Sequence, residues 1–223
     1  DRLSPRKAKT VGSQDEQESS HQIHHLILLC KNNKGYENLC MLLSKAYLEG
    51  FYYKPRLDIE LLKEFREGLI CTTACLKGEV GYNFFSNHDQ RAGRAIEKLH
   101  EVFGDDFYLE IQENGIPEQK IVNKKVIEFA KQNKMQLVAT NDCHYMTPED
   151  ATAQEVLLCV QTGKNFNDEN RMRLTTDEFY FKSAEEMRKA FSDCPEACDN
   201  TLRIADKCNV ELNWKDEKGE QIY

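Results

Sequence analysis

The chain alternates between short apolar runs of strand length and longer stretches where apolar residues recur every three or four positions. Residues 22–31, with Ile23 and the run Leu26 to Cys30, predict a central strand with His24 and His25 on opposite faces. After a turn at 33–35, Tyr36, Leu39, Cys40, Leu43, Ala46 and Tyr47 keep helical spacing until Gly50. Residues 51–56 read as aromatic and extended, held by Pro55, and Asp58 caps a short helix with Ile59, Leu62 and Phe65 inward. Residues 69–73 predict a second strand that delivers Cys75 beyond its end. Helix resumes from Gly78, and Ala92, Ala95, Ile96, Leu99, Val102 and Phe103 form an amphipathic stripe. Residues 107–112 predict a third strand, Ile121, Val122, Val126 and Phe129 the helix after it, and residues 137–140 a fourth strand.

Thr147-Pro148-Glu149-Asp150 has the form of a helix start, with a capping threonine, proline at the first helical position and acids in the first turn. An irregular stretch, 163–176, follows that helix. A short strand is predicted at 179–181, then helices from Ser183 and over 195–208. The repeated βα order implies parallel strands with crossover helices, and places the chain in the α/β class.

Composition narrows this picture. At 223 residues, 40% hydrophobic and 30% charged, the chain can bury a full core as a soluble globular protein. No apolar run is long enough to span a bilayer and no signal peptide opens the chain, so no membrane role is expected. Nine cysteines, with no CxxC pair, suit a reduced, cytoplasmic setting better than a disulfide framework. A net charge of −8 makes the chain a poor general binder of nucleic acid, so DNA is expected to be gripped mainly elsewhere. Residues 1–20 are too polar to order themselves and read as a mobile loop or tail. Residues 21–212 form the predicted domain, and residues 213–223, polar around Trp214, an exit segment.

Candidate chemistry concentrates at strand ends. The run Val138 to Thr140 empties into Asp142 and His144, two positions apart. In an extended chain they face one side, as a metal site or a proton-transfer pair requires. The alternative is an Asn-Asp turn with a surface histidine. Cys75 beyond the second strand offers a thiolate ligand or a small core filler. Glu110, flanked by apolar residues mid-strand, calls for a metal, Arg or Lys as partner. If the strands are parallel, the groups at their carboxyl ends converge. Thr162-Gly163-Lys164 lacks the upstream glycine of a phosphate loop and is set aside.

Several segments together resemble the PHP (polymerase and histidinol phosphatase) domain of bacterial DNA polymerase III alpha subunits. They are His24-His25-Leu26-Ile27-Leu28-Leu29-Cys30, Gly35-Tyr36-Glu37-Asn38-Leu39, Gly50-Phe51-Tyr52-Tyr53-Lys54-Pro55-Arg56, Ala74-Cys75-Leu76-Lys77-Gly78-Glu79-Val80 and Ala139-Thr140-Asn141-Asp142-Cys143-His144-Tyr145. The resemblance implies a distorted (β/α)7 barrel, incomplete here because the first strands and their His-x-His ligands lie outside this chain. It implies His25, Cys75, Asp142 and His144 as metal ligands, Asp142 and His144 as the catalytic pair, and His24 as a neighbour facing away. Zn, Mn or Fe would occupy the PHP site, and Mg the separate polymerase site of the parent. Within the parent's DNA replication, this region would be a metal-dependent 3′→5′ exonuclease or phosphoesterase, or a degenerate docking module. Its partners would be the rest of the alpha chain and a proofreading exonuclease subunit. The alternative is a free-standing small-molecule phosphatase resembling histidinol phosphatase.

Overall fold

The strand Phe107–Gln112 is buried along its whole length, so both of its faces are covered: Phe107, Leu109 and Ile111 on one, Tyr108, Glu110 and Gln112 on the other. The computed structural model describes residues 23–212 and Glu220. The predicted tail at 1–20 lies outside the described residues, as does the exit segment apart from Glu220. The strands are β1 (Ile27–Cys30), β2 (Leu69–Thr72), β3 (Phe107–Gln112) and β4 (Leu137–Thr140). The helices are α1 (Asn33–Leu48), α2 (Ile59–Glu64), α3 (Glu79–Phe85), α4 (Asp89–Phe103), α5 (Pro117–Asn133), α6 (Ala151–Thr162), α7 (Ala184–Ala190) and α8 (Pro195–Lys207).

Local chemistry starts these helices where the sequence places the signals. The Asn32 and Asp58 side chains accept the Gly35 and Leu61 backbone N–H groups, each at 2.9 Å, at the heads of α1 and α2. Capping boxes join Thr147 to Asp150 before α6 and Ser183 to Glu186 before α7. Such caps stabilise by about 1 kcal/mol each. They mark where the chain turns in; packing decides the rest.

The strands lie in the order β1-β2-β3-β4. β2, β3 and β4 are parallel, as expected, whereas β1 pairs antiparallel with β2, Ile27 opposite Thr72 and Cys30 opposite Leu69. Two expectations for residues 22–31 are therefore corrected. The strand is shorter, and it lies at the edge of the sheet. The connector through α1 and α2 ends where it began, since the Lys31 N–H donates to the Gly68 carbonyl at 2.8 Å. An out-and-back pair of helices reverses the strand direction, and hydrophobic period carries no record of that. Gly35 and Gly68 let the two ends meet, because a Cβ on Gly35 would stand 1.9 Å from the Gly68 carbonyl oxygen.

Other expectations shift as well. Among the described residues the sheet is open and four-stranded, so the closed (β/α)7 barrel is not seen in them. Residues 51–56 form a tight turn, not an extended segment: Tyr52 bridges Lys54 and Tyr53 has φ +60°. Residues 179–181 contribute a single bridge, Tyr180 to Tyr145, instead of a strand.

One face of the sheet (Leu69, Cys71, Phe107, Leu109, Ile111, Leu137 and Ala139) joins the main core with α3, α4 and α5. The other face is layered. Ile70, Tyr108 and Val138 pack on Ile204 of α8 at one end, while Thr72, Glu110, Gln112 and Thr140 hydrogen-bond to one another at the carboxyl ends of their strands. α8 closes the β4 side, where the Asn200 amide donates to the Leu137 carbonyl at 2.7 Å. All nine cysteines are free thiols, with Cys194 and Cys198 in the core as expected.

Far from the polar layer, Asp106 ties three elements together. It accepts Lys31 Nζ at 2.5 Å and Lys207 Nζ at 3.1 Å, and Lys207 also donates to the Tyr108 hydroxyl at 3.2 Å. Burial by itself would raise the Asp106 pKa; the hydrogen bonds and charges of the two lysines outweigh it and hold the carboxyl below its ordinary value. The contribution is therefore complete above the unfolded aspartate pKa of about 3.9 and is lost as pH falls through the lower folded value. Asp106→Asn is expected to cost about 1–2 kcal/mol near neutral pH, and less in strong acid, as measured by urea denaturation across that range.

Candidate metal centre

The turn after β2 is built to carry a cysteine back over the strand end. Ala74 takes φ +58° and the Gly78 N–H donates to the Cys75 carbonyl at 2.8 Å, closing the loop. Gly78 is required by space, since a Cβ there would lie 2.1 Å from the Thr73 carbonyl oxygen. The His25 backbone is clamped to the same turn, its N–H donating to Lys77 O at 3.0 Å beside a bridge to Gly78. His25 Nδ1 thereby comes 3.6 Å from Cys75 Sγ. His25 reaches this end because it precedes an antiparallel strand. Of the groups expected to converge, His25, Cys75 and Asp142 border one pocket, and His25 arrives there by a route opposite to parallel pairing.

After β4, Asn141 anchors a crossing segment: its amide donates to Tyr180 O at 2.6 Å and Glu178 O at 3.3 Å. The next residue, Asp142, has φ +54°, so the extended i, i+2 geometry predicted for Asp142 and His144 does not occur. The two side chains meet regardless, with His144 Nε2 3.5 Å from Asp142 Oδ1. Phe179 holds this residue: its carbonyl accepts the His144 backbone N–H at 2.8 Å, and its ring meets the imidazole edge-on at 5.4 Å.

An open pocket of about 570 Å³ lies at this end of the sheet, with His24, His25, Lys54, Cys75, Gln112 and Asp142 on its walls. His144 stands against Asp142 and is not on the wall. His24 borders the pocket too, while its ring packs on Tyr82 at 5.4 Å. Burial first, then the negative charges of Asp142 and Glu110, push the Cys75 thiol above its ordinary pKa, despite backbone hydrogen bonding at Lys77. A positive charge in the pocket would reverse that balance.

The donors stand as two pairs, His25 with Cys75 and Asp142 with His144. Among the described residues no three His, Cys, Asp or Glu are gathered closely enough to hold one ion. The donor chemistry nonetheless suits a borderline divalent cation. Gln112 adds a buried acceptor, since its Oε1 has no hydrogen-bond partner. Its amide nitrogen donates to Glu110 Oε1 at 2.9 Å and Thr140 Oγ1 at 3.2 Å, which fixes the oxygen as the free end.

Glu110, 4% exposed, is answered differently from what the sequence suggested. Its carboxylate accepts from the hydroxyls of Thr72 and Thr140 and from the Gln112 amide, with no Arg or Lys among these partners. Sequence reasoning missed Thr72, Gln112, Thr140 and Asn141. Gln112 was accessible in principle, because it shares a strand face with Glu110 two residues earlier.

The α/β sheet thus carries imidazole, thiol and carboxylate groups, as two pairs, at the carboxyl ends of its parallel strands. A profile of the PHP domain matches residues 4–114. The chain is 47% identical over 207 residues to the DNA polymerase III subunit alpha of Helicobacter pylori, covering 88% of this chain and 17% of that relative. It is 49% identical over 186 residues to that of Borreliella burgdorferi (83% and 16%). To that of Deinococcus radiodurans it is 44% identical over 199 residues (88% and 15%). The chain belongs to the PHP domain family and matches the PHP region of DNA polymerase III alpha subunits. It spans under a fifth of the length of these relatives.

The Gly78 contact gives a direct check on the Cys75 turn. Gly78→Ala is expected to cost about 1–3 kcal/mol by thermal denaturation, because backbone must move to admit the methyl group. Gly93→Ala, whose Cβ would meet only the Phe129 ring at 3.4 Å, is the control expected to cost less.

Proposed function

We propose that the chain is the PHP region, spanning residues 21–212, of a replicative DNA polymerase III alpha subunit, and that its pocket serves phosphodiester hydrolysis with divalent metal ions. Support comes above all from one observation: His25, Cys75 and Asp142, from three separate connections, border a single pocket. His25, Cys75, Asp142 and His144 would hold Zn, Mn or Fe, with further donors supplied from outside the described residues. The bound cation would supply Lewis-acid stabilisation of a phosphoryl oxygen and an activated water.

The chain's own residues have narrower tasks. Asp142 Oδ1 faces His144 Nε2 and would orient the imidazole. Gln112, a residue of the wall, keeps a buried acceptor oxygen, its amide nitrogen held by Glu110 and Thr140. Nucleotidyl transfer in the parent would lie in a separate, Mg-dependent polymerase site. A proofreading exonuclease subunit and the rest of the alpha chain are the proposed partners, and the proposed setting is the cytoplasm. Among the described residues no helix is long and apolar enough to cross a membrane.

A second reading, a docking module without hydrolytic activity, is favoured by the absence of any ready three-donor group among the described residues. Elemental analysis of the full-length protein separates the two. Under the metal reading, wild type carries Zn, Mn or Fe and His25→Ala with Cys75→Ala reduces it to background. Asp142→Asn is expected to slow 3′→5′ hydrolysis of a labelled oligonucleotide by roughly 100-fold or more. Metal content and hydrolysis untouched by these changes would leave the docking module.

A further inference from the structure

Beside the pocket, the turn 51–56 shows a group of aromatic rings to solvent. Phe51, Tyr52 and Tyr53 are 52%, 59% and 84% exposed, and Tyr47 of α1, 60% exposed, stacks on Phe51 at 6.3 Å. Tyr52 and Tyr53 meet edge to face at 4.6 Å, and the Arg56 guanidinium lies 4.9 Å from the Tyr52 ring centroid. These rings fill no core. They are nevertheless held firmly. The Tyr52 N–H donates to Lys54 O at 3.1 Å, and Arg56 Nε donates to Gly50 O at 3.2 Å. Gly50 admits the returning chain because a Cβ there would stand 2.2 Å from Arg56 O. Tyr53 keeps φ +60°, which a bulky aromatic residue adopts only where its surroundings impose it. The same turn feeds the pocket, since Lys54 and Pro55 are on its wall with His25, Cys75 and Asp142.

We infer that the turn 51–56, with Tyr47, is a stacking platform for unpaired bases of a single-stranded nucleic acid whose phosphates pass Lys54 into the pocket. This names a substrate class for the pocket and so rests on the function proposed above. Charge decides between occupants. In a chain of net charge −8, the turn 51–56 carries Lys54 and Arg56 and no acid, with Glu49 and Asp58 flanking it. Cations set among exposed rings match a strand that offers phosphate and base faces together. Rings reach bases only when these are unpaired, so a duplex of the same sequence should be a poor ligand.

The experiment is photo-cross-linking of the full-length protein to a single-stranded oligonucleotide carrying 5-iododeoxyuridine, with attachment sites mapped by mass spectrometry. Adducts are expected on the peptide holding residues 51–56. Tyr52→Ala and Tyr53→Gly should raise the oligonucleotide concentration for half-maximal adduct there by roughly ten-fold. Tyr53→Gly relieves the left-handed backbone while deleting the ring, so its loss is not misfolding, and Tyr53→Phe should restore the yield. Lys54→Ala should lower the salt slope by about one. Adducts mapping only elsewhere, no adduct at all, or equal yield with duplex would each overturn the platform. Metal content, read on the same samples, keeps the two proposals apart. Retained metal without adducts sinks the platform alone, and adducts on a wild-type protein that carries no Zn, Mn or Fe sink the metal reading alone.

Discussion

The site depends on the antiparallel pairing of Ile27–Cys30 with Leu69–Thr72. A residue before β1 and a residue after β2 are brought to the same end of the sheet only if the two strands run in opposite directions. His25 and Cys75 are such residues, and a separate parallel bridge from His25 to Gly78, with the His25 N–H donating to Lys77 O, holds His25 against the turn after β2. Parallel pairing would send His25 to the far end. The out-and-back path of α1 and α2, with Gly35 packed on Gly68, enforces the direction. A steric detail distant from the pocket thus fixes which side chains share it.

The polar layer behind the pocket follows from strand period. Thr72, Glu110, Gln112 and Thr140 lie on three neighbouring parallel strands and satisfy one another across the sheet. A buried carboxylate is tolerated there because hydroxyl and amide donors replace the water it lost. The same network uses up the Gln112 amide nitrogen and leaves its buried oxygen without a hydrogen-bond partner. Beneath it Ile70, Tyr108, Val138 and Ile204 form a dry layer. One face of the sheet is therefore apolar where stability is needed and polar where chemistry is expected.

Tertiary contacts also reset local conformation at the residues that border the pocket. Ala74, Asp142 and Tyr53 all have positive φ, and each belongs to a turn that brings a group to the pocket's edge. Strain of this kind persists where packing and hydrogen bonds over-determine the backbone. Here those are the Gly78 contact, the Asn141 anchor and the Arg56 bond to Gly50.

The strands at 69–72, 107–112 and 137–140 and the stripe along α4 were legible because burial imposes a period on them. Helix starts at Asp58, Thr147 and Ser183 were legible because capping is chemistry between near neighbours. Cys75, Asp142 and His144 could be singled out as polar residues emptying from apolar runs, and the family resemblance added His25. What the residues alone could not supply was the direction of β1, the turn at 51–56, the hydroxyl and amide partners of Glu110, or the free oxygen of Gln112. Each of these is set between segments tens of residues apart, by which backbone atoms have room to meet. Local composition records what a segment will bury; only the folded chain decides what it will face.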